Sequence, residues 1–490
     1  QPLIYVGAND GMMHAFNAST GVEEFAYIPN IIFDKLQSLS STNYNHEYFV
    51  DGSPTIFDAF FSDDEWHTVL VSGLGAGGQG IFALDVTDPA AFDDQDGAAS
   101  KVLWEFSDAD DRDMGLTFGQ PSIIRLNNGE WAALFSGGYN NNDDNNLDGN
   151  NATDSITGNG VMYLVNIETG ALIKKFDTLI GTADDPTGNN RPNGLSTPTA
   201  VDVNNDRIVD LIYAGDLFGN VWSIDVSSSD KANWDFSYKS GANPRPLYTA
   251  CNGTTCNGSN VQPITTQIQV VSHPSEKGYL LLFGTGKYFE VGDNSATGQV
   301  TQSFYSIWDK RLNSLTAFNR SNLLQQEIVA EVNSNNDDYR ISSNYAIDWS
   351  SKNGWYIDLY NTQGGNSNNY GERQVSNAII RNGRVIFVTL VPSDDPCDDG
   401  GSGWLMEVNY ASGSRLSYSP FDLNGDQSFT PGDFLNVGDI DGDGEVTILD
   451  IVLIVNCILS NDCDECSDWN FDESVDILDI ILMINVILEP

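Results

Sequence analysis

Basic residues are scarce in this chain: 22 Lys and Arg stand against 69 Asp and Glu, a formal net charge of -47. That balance excludes nucleic acid as a partner, because holding phosphates takes clustered Lys and Arg and no such cluster is visible. Divalent cations are the natural counterions instead. Long apolar runs are missing too; nothing reaches the roughly 18 consecutive apolar residues of a membrane span, so no transmembrane segment is expected. The N-terminus lacks a charged segment followed by an apolar signal core. "QPLIYVGANDG" opens almost inside a strand, so residue 1 is not expected to be the translated start, and upstream domains and any signal are expected to precede it. Histidine is limited to His14, His46, His67 and His273. None sits in H-E-x-x-H, no G-x-S-x-G elbow is present, and nothing proposes a nucleophile.

Cysteine is sparse, with Cys251 and Cys256 in "CNGTTC", Cys397 alone, and Cys457, Cys463 and Cys466 near the end. The close spacings suit small disulfide loops in an oxidising compartment, and zinc at Cys463 and Cys466 would call for a second C-x-x-C, which is absent. A Cys251–Cys256 bridge would contribute about 2 kcal/mol on the chain-entropy account. Pairing among the other four is left open by the spacing.

What the chain does have is β pattern and repetition. A phrase of apolar residues ending in Asp or Asn, then a short polar turn, recurs as "MHAFNASTG" (13–21), "IFALDVTDP" (81–89), "MYLVNIETG" (162–170), "VWSIDVSSS" (221–229) and "LMEVNYASG" (405–413). Each reads as a strand closing in a tight turn. Between them lie hairpin-like phrases such as "DGSPTIFDAF" (51–60), "GQPSIIRLNNGEWAALFSGG" (119–138), "LSTPTAVDVNNDRIVDLIYAGD" (195–216) and "VSNAIIRNGRVIFVTLVP" (375–392). Pro54, Pro121 and Pro198 fall about 70 residues apart, a period that suits four-stranded propeller blades with long loops. A pair of β-sandwiches is the competing architecture, since it also shows short strands at regular spacing. Helical periodicity is scarce before residue 430. "GAGGQG" (75–80) matches the dinucleotide fingerprint, but that motif needs a helix next and "IFALDVTDP" reads as a strand, leaving a Gly-rich turn. Only "NNNDDNNLDGNNATDS" (140–155) reads as a loose or metal-loving loop.

Oxygen-bearing side chains then recur at calcium-loop spacing. "DVNNDRIVD" (202–210) lies between the apolar runs TPTAV and LIYAG, where two carboxylates about 4 Å apart repel by roughly 4 kcal/mol at an effective dielectric near 20. A bound cation resolves that repulsion, with Asp202, Asn204, Asp206, the Ile208 carbonyl and Asp210 as donors and Arg207 at the position where such loops take glycine. After residue 420, "DLNGDQSFTPGD" (422–433), "DIDGDGEVTILD" (439–450) and "DWNFDESVDILD" (468–479) place oxygen donors at positions one, three, five and twelve, the EF-hand spacing. The first offers Asp422, Asn424, Asp426, Ser428 and Asp433. The second offers Asp439, Asp441, Asp443, Asp450 and the Glu445 carbonyl. The third offers Asp468, Asn470, Asp472, Asp479 and the Ser474 carbonyl. "VTILDIVLIVNCIL" (446–459) and "VDILDIILMINVIL" (475–488) agree at nine of fourteen positions, a duplication of helices too short to cross a bilayer.

"YVGANDGMMHAFNASTG", "YFVDGSPT", "TVLVSGLGAGGQGIFALDVTDP", "VLWEFSDADDRDMGLTFGQPSI", "YAGDLFGNVWSID", "FGTGKYF" and "VIFVTLVPSDDPC" together resemble the C-terminal β-propeller of the PilC/PilY family of type IV pilus tip-associated proteins. The resemblance implies a mainly β fold, a modified propeller of about seven blades, over residues 1–420. It also implies a non-catalytic role at a pilus tip or cell surface of a Gram-negative-type bacterium, in adhesion, pilus assembly and calcium-dependent control of retraction. Asp202, Asn204, Asp206 and Asp210 match the family's calcium loop. Residues 421–438 form a connecting segment with an extra calcium-loop candidate. Residues 439–490 resemble a dockerin-type calcium repeat pair, a small helical domain that departs from the usual family ending. Minor pilins or the pilus tip, a host or surface receptor, and a cohesin-like or intramolecular docking surface for the C-terminal helices are the partners so implied. A quinoprotein propeller dehydrogenase is the enzymatic rival, because "DGMMHAFNASTG" resembles its repeat phrase, but its adjacent cysteine pair is absent.

Overall fold

The computed structural model describes residues 2–416 apart from 94, 143–153, 291, 313–315, 335–336, 362–368 and 394–400, together with Val455. The expected calcium loops at 422–433, 439–450 and 468–479, and most of the Asn/Asp stretch at 140–155, lie outside the described residues.

The chain is mainly β and builds one sheet after another, antiparallel except for a parallel pair, Leu324–Ser334 with Gly354–Asn361. β1 (Leu3–Gly7), β2 (Met13–Asn17) and β3 (Glu23–Tyr27) form a three-stranded meander. Four-stranded meanders follow: β4 (Thr55–Phe60), β5 (Trp66–Gly73), β6 (Gly80–Asp85) and β7 (Val102–Ser107), then β8 (Ser122–Arg125), β9 (Trp131–Ser136), β10 (Val161–Asn166) and β11 (Leu172–Asp177). The fourth sheet runs β12 (Thr199–Val201), β13 (Leu211–Gly215), β14 (Asn220–Asp225) and β15 (Asp235–Phe236), with Tyr248–Thr249 also paired to β14. A six-stranded sheet within 269–361 and a three-stranded sheet within 379–409 complete the six sheets of three or more strands among the described residues. The resemblance to a propeller of about seven blades thus holds as a fold, while the number seven is not read from these sheets. The Gly-rich turn at 75–80 is followed by β6, a strand, as the rejection of the dinucleotide motif requires.

The inner strands β6, β10, β13 and β14 read as nearly continuous apolar runs because they are buried on both faces, whereas β1 and β4 leave residues exposed. Side chains alternate across a strand, and here the alternation feeds two cores. Leu70 packs with Met13 and Phe82, while its neighbours Val69 and Val71 pack with Phe135 and Tyr163. Leu134, Met162 and Leu164 join Ile212, Trp222 and Ile224 in the next cluster, while Ala133, Val161 and Val165 face the previous one. Sheets are therefore stacked face to face, the packing of propeller blades.

The recurring Asp/Asn phrase has a local cause. Asn17, Asn166 and Asn409 each end a strand and accept, through the side-chain oxygen, the N–H groups two and three residues on. Asp85 and Asp225 do the same for Thr87 and Ser227. These are Asx-turns, in which a short polar side chain replaces a ladder partner. Gly170 and Gly413 close two of them with φ of 71°, and each lies against a tryptophan from another strand: Trp104 Nε1 donates to the Ile167 carbonyl at 2.8 Å and Trp355 Nε1 to the Tyr410 carbonyl at 3.1 Å. A Cβ on either glycine would collide with the facing tryptophan.

Within residues 2–416 helix is confined, among the described residues, to Gln95–Ala99 and short 3-10 segments, except for an 11-residue 3-10 stretch, Asn30–Ser40. No helical period announced it. Its first N–H groups are capped from far along the chain, Asn30 and Ile31 donating to the Glu105 carboxylate at 2.6 and 3.0 Å, which favours negative charge there. No helix among the described residues is long and apolar enough to cross a membrane.

Two compact units are distinguished, Gln1–Val270 with Asp309–Arg320, and Val271–Trp308 with Ser321–Pro490. Within the first, Cys251 and Cys256 form the expected disulfide, and Arg320 donates to the Cys251 carbonyl and to Asn252 Oδ1 at 3.3 and 2.9 Å.

Candidate calcium site

Residues 202–210 are the loop of a β-hairpin. β12 and β13 pair with Val201 opposite Leu211, so the register brings the two ends of the acidic loop side by side. Asp202 begins it and organises its turn: Oδ1 accepts the N–H groups of Asn204, Asn205 and Asp206 at 3.1, 2.7 and 3.3 Å, and Oδ2 accepts Arg207 N–H at 2.6 Å. Asn204 Nδ2 donates to Asp206 Oδ2 at 3.0 Å, and Asp206 Oδ1 accepts Ile208 N–H at 2.8 Å. Asp210 closes the loop, its Oδ2 accepting Val203 N–H at 2.9 Å. Asn204 and Asp206 are exposed, whereas Asp210 is buried. Asn205 and Arg207 both adopt positive φ, 63° and 68°. The position read from the sequence as a glycine slot is therefore a left-handed one, and Arg207 occupies it at a cost of about 1–2 kcal/mol.

Asp202 titrates below the usual carboxylate range: desolvation pushes it up, but the four backbone N–H bonds, led by that from Arg207, outweigh this. Other acidic groups in the chain are answered by protein cations. Lys175 Nζ bonds Asp111 and Asp113 at 2.7 and 2.6 Å. Lys101 bonds Asp85 at 2.8 Å, Lys287 bonds Asp293 at 2.7 Å, and Arg340 bonds Glu372 at 2.6 Å. Asp216, fully buried, has neutral donors instead: Asn193 Nδ2, Asn220 Nδ2 and Trp222 Nε1, all at 2.9 Å. Burial pushes its carboxyl above the usual range despite those bonds. Asp202, Asp206 and Asp210 have no ion pair among the described residues.

The loop's donor set is all oxygen: three carboxylates, one amide and the Ile208 carbonyl, which receives no hydrogen bond among the described residues. That chemistry, on an exposed turn, fits Ca²⁺, which takes six to eight oxygens in flexible geometry. Among the described residues, no three carboxylate, imidazole or thiol side chains already stand close enough to hold an ion between them. The structure thus joins the five residues in one loop, with the carboxylates engaged by backbone N–H groups. Sequence reasoning missed Asn127, whose Nδ2 donates to Asp210 Oδ1 at 3.3 Å and to the Val209 carbonyl at 2.9 Å. A signal was absent, since it lies in a different sheet.

The histidines hold structural places. His14 sits between Asp10 and Glu23, and His67 between Asp63 and Asp85. His273 stacks on Trp308 at 4.2 Å between centroids and accepts Glu276 N–H at 2.9 Å.

Residues 1–344 match the family model described as the PilY1 beta-propeller domain, and residues 437–488 match the dockerin type I domain. A type IV pilus biogenesis factor PilY1 homolog of Xylella fastidiosa is 40% identical over 416 residues, covering 84% of this chain and 26% of that protein. The type IV pilus biogenesis factor PilY1 of Pseudomonas aeruginosa strain UCBPP-PA14 is 36% identical over 463 residues, covering 86% of this chain and 37% of that protein. The chain therefore spans between a quarter and two fifths of the length of these relatives. The crystal structure of the Pseudomonas aeruginosa PilY1 C-terminal domain superposes with a TM-score of 0.69 at 33% identity, over 88% of this chain and 83% of that one. With its stacked antiparallel sheets and acidic hairpin, the chain belongs to the PilY1 β-propeller family of type IV pilus biogenesis factors, a non-catalytic family, and carries in addition a dockerin type I domain.

Proposed function

We propose that this chain is a calcium-binding, surface-exposed component of the type IV pilus, acting at its tip in adhesion and in the control of assembly and retraction. The carrying observation is that Asp202, Asp206 and Asp210 of the hairpin 202–210 make no ion pair among the described residues, although Arg207 lies in the same loop, whereas Asp85, Asp111, Asp113, Asp293 and Glu372 each have one. Calcium is the missing charge, held by Asp202, Asn204, Asp206, the Ile208 carbonyl and Asp210. Carboxylates left without an ion pair repel one another, and an ion bound only by the folded loop stabilises the fold by about 2.7 kcal/mol at one hundred times its dissociation constant. Extracellular modules of this kind work at about 0.1–1 mM calcium, a range found outside cells.

The dockerin match supports a second element, docking of residues 439–490 onto a cohesin-like or pilin partner, or onto the chain itself. There the ligands are Asp439, Asp441, Asp443, the Glu445 carbonyl and Asp450, then Asp468, Asn470, Asp472, the Ser474 carbonyl and Asp479. Asp422, Asn424, Asp426, Ser428 and Asp433 form a further loop before them.

Calorimetric titration of the full chain with calcium tests the reading. Asp210→Ala is expected to remove one calcium equivalent, and an unchanged stoichiometry sinks the propeller assignment. Deleting 439–490 separates the two roles: surviving adhesion with failed assembly supports docking by the tail, and the reverse outcome assigns the tail a direct adhesive role.

A further inference from the structure

The element that braces the acidic hairpin comes from the neighbouring sheet. β8 and β9 turn over residues 126–130, closed by Gly129 N–H donating to the Leu126 carbonyl and Leu126 N–H to the Glu130 carbonyl, both at 2.9 Å. Leu126 and Val209 share one core cluster and form a parallel bridge. Val209 N–H donates to the Arg125 carbonyl at 2.9 Å. From this anchored tip Asn127 Nδ2 reaches the Val209 carbonyl at 2.9 Å, the Val226 carbonyl at 3.2 Å and Asp210 Oδ1 at 3.3 Å. With Val203 N–H on Oδ2, both oxygens of Asp210 are oriented by neutral donors.

We infer that Asn127 is the positioning residue of the calcium loop, aiming the Asp210 carboxylate at the ion and coupling the loop to the β8–β9 hairpin and its Trp131. The inference rests on the calcium reading of 202–210. A neutral amide is the right chemistry for this task. It fixes the carboxylate's direction while leaving its charge for the ion, whereas a lysine in the same place would compete for it, as Lys175 does at Asp111 and Asp113. Partners of this outer kind commonly control metal affinity by about 10–100-fold.

The coupling has a built-in reporter. Trp131 opens β9 directly after the tip, opposite Arg125 in the register. Its ring meets those of Trp66 and Phe57 at 5.9 and 6.3 Å between centroids. Those two rings are exposed, so the group sits where a small shift of the hairpin changes its contact with water.

The test is calcium titration of the full chain followed by calorimetry and by tryptophan fluorescence. Asn127→Ala is expected to keep the calcium equivalent that Asp210→Ala removes, with affinity weakened about tenfold or more. The wild-type chain is expected to change its fluorescence on filling that site, and Trp131→Phe to lose the change. An Asp210-dependent ion whose affinity ignores Asn127→Ala overturns the positioning role, as does a melting temperature lowered equally with and without calcium at unchanged affinity. Should Asn127→Ala not fold, the Trp131→Phe difference decides: a calcium response identical to wild type overturns the coupling. Absence of any Asp210-dependent ion is the distinct failure of the parent reading, and this inference falls with it.

Discussion

Two acidic regions of neighbouring sheets solve the same problem in opposite ways. Between β7 and β8, Asp111 and Asp113 converge on Lys175 of β11, and Asp111 also accepts Tyr163 Oη–H at 3.0 Å. Burial disfavours the Lys175 ammonium, but the two carboxylates outweigh it and hold its pKa above the ordinary value. Between β12 and β13, three aspartates share a nine-residue loop with two asparagines and backbone N–H groups, and make no ion pair among the described residues. Equal acidity therefore does not mean equal chemistry. The first region carries its counterion in the chain and is complete as folded, while the second, on the proposed reading, takes its counterion from solution.

Several experiments sharpen that comparison. The largest effect is expected outside both regions: excess EDTA is expected to melt the 439–490 segment, because the short helix pair expected there from its sequence would have too small a core to stand without metal. Circular dichroism should then lose its helical part and keep its β part, and an unchanged helical signal would count against it. Within the propeller, Lys175→Met strands two largely buried carboxylates and should cost about 2–4 kcal/mol in urea unfolding, with or without calcium. If calcium restored that loss, the division between internal and external counterions would break down.

Arg207→Gly acts on the other region with the opposite sign. Relieving a left-handed arginine should stabilise by about 1 kcal/mol and tighten calcium by removing a nearby positive charge. A destabilised variant would show that the Arg207 side chain has a role of its own.

The smallest effect concerns pH. Burial lowers the His67 pKa, but its bonds to Asp85 and Asp63 outweigh this and leave it raised. Stability from that contact is therefore complete below the unfolded value near 6.5 and is lost as pH rises through the higher folded value. His67→Asn should flatten the change in melting temperature across this window, by about 0.5 kcal/mol for a contact partly open to solvent. Asp85 moves the other way. Burial raises it, Lys101 and Thr87 pull it down to about 2, and its share of stability vanishes only as pH falls from about 4 through that value.

How much of this was legible in advance depends on the reach of the interactions. The strand-and-turn phrases were readable because Asn17, Asn166 and Asn409 bond groups only two and three residues away. The hairpin at 202–210 was readable for the same reason, as was the left-handed place of Arg207, since the bonds that shape its turn join residues no more than seven apart. The 3-10 stretch Asn30–Ser40 was not, because its cap, Glu105, lies 75 residues away from Asn30. The face-to-face arrangement of Trp104 with Gly170 also escaped notice, although both residues stand in quoted phrases.

The amino-acid order alone determined the β character, the Asx-turns, the disulfide between Cys251 and Cys256, and the position of an acidic loop with calcium spacing. These are short-range matters, settled by residues that meet whatever the rest of the chain does. Tertiary structure alone decided which carboxylates received a lysine and which were left to an amide, as Lys175 and Asn127 show from 62 and 83 residues away. Sequence carries charge and spacing, but neutralisation is a property of distance in space, and only the stacking of sheets brings such partners together.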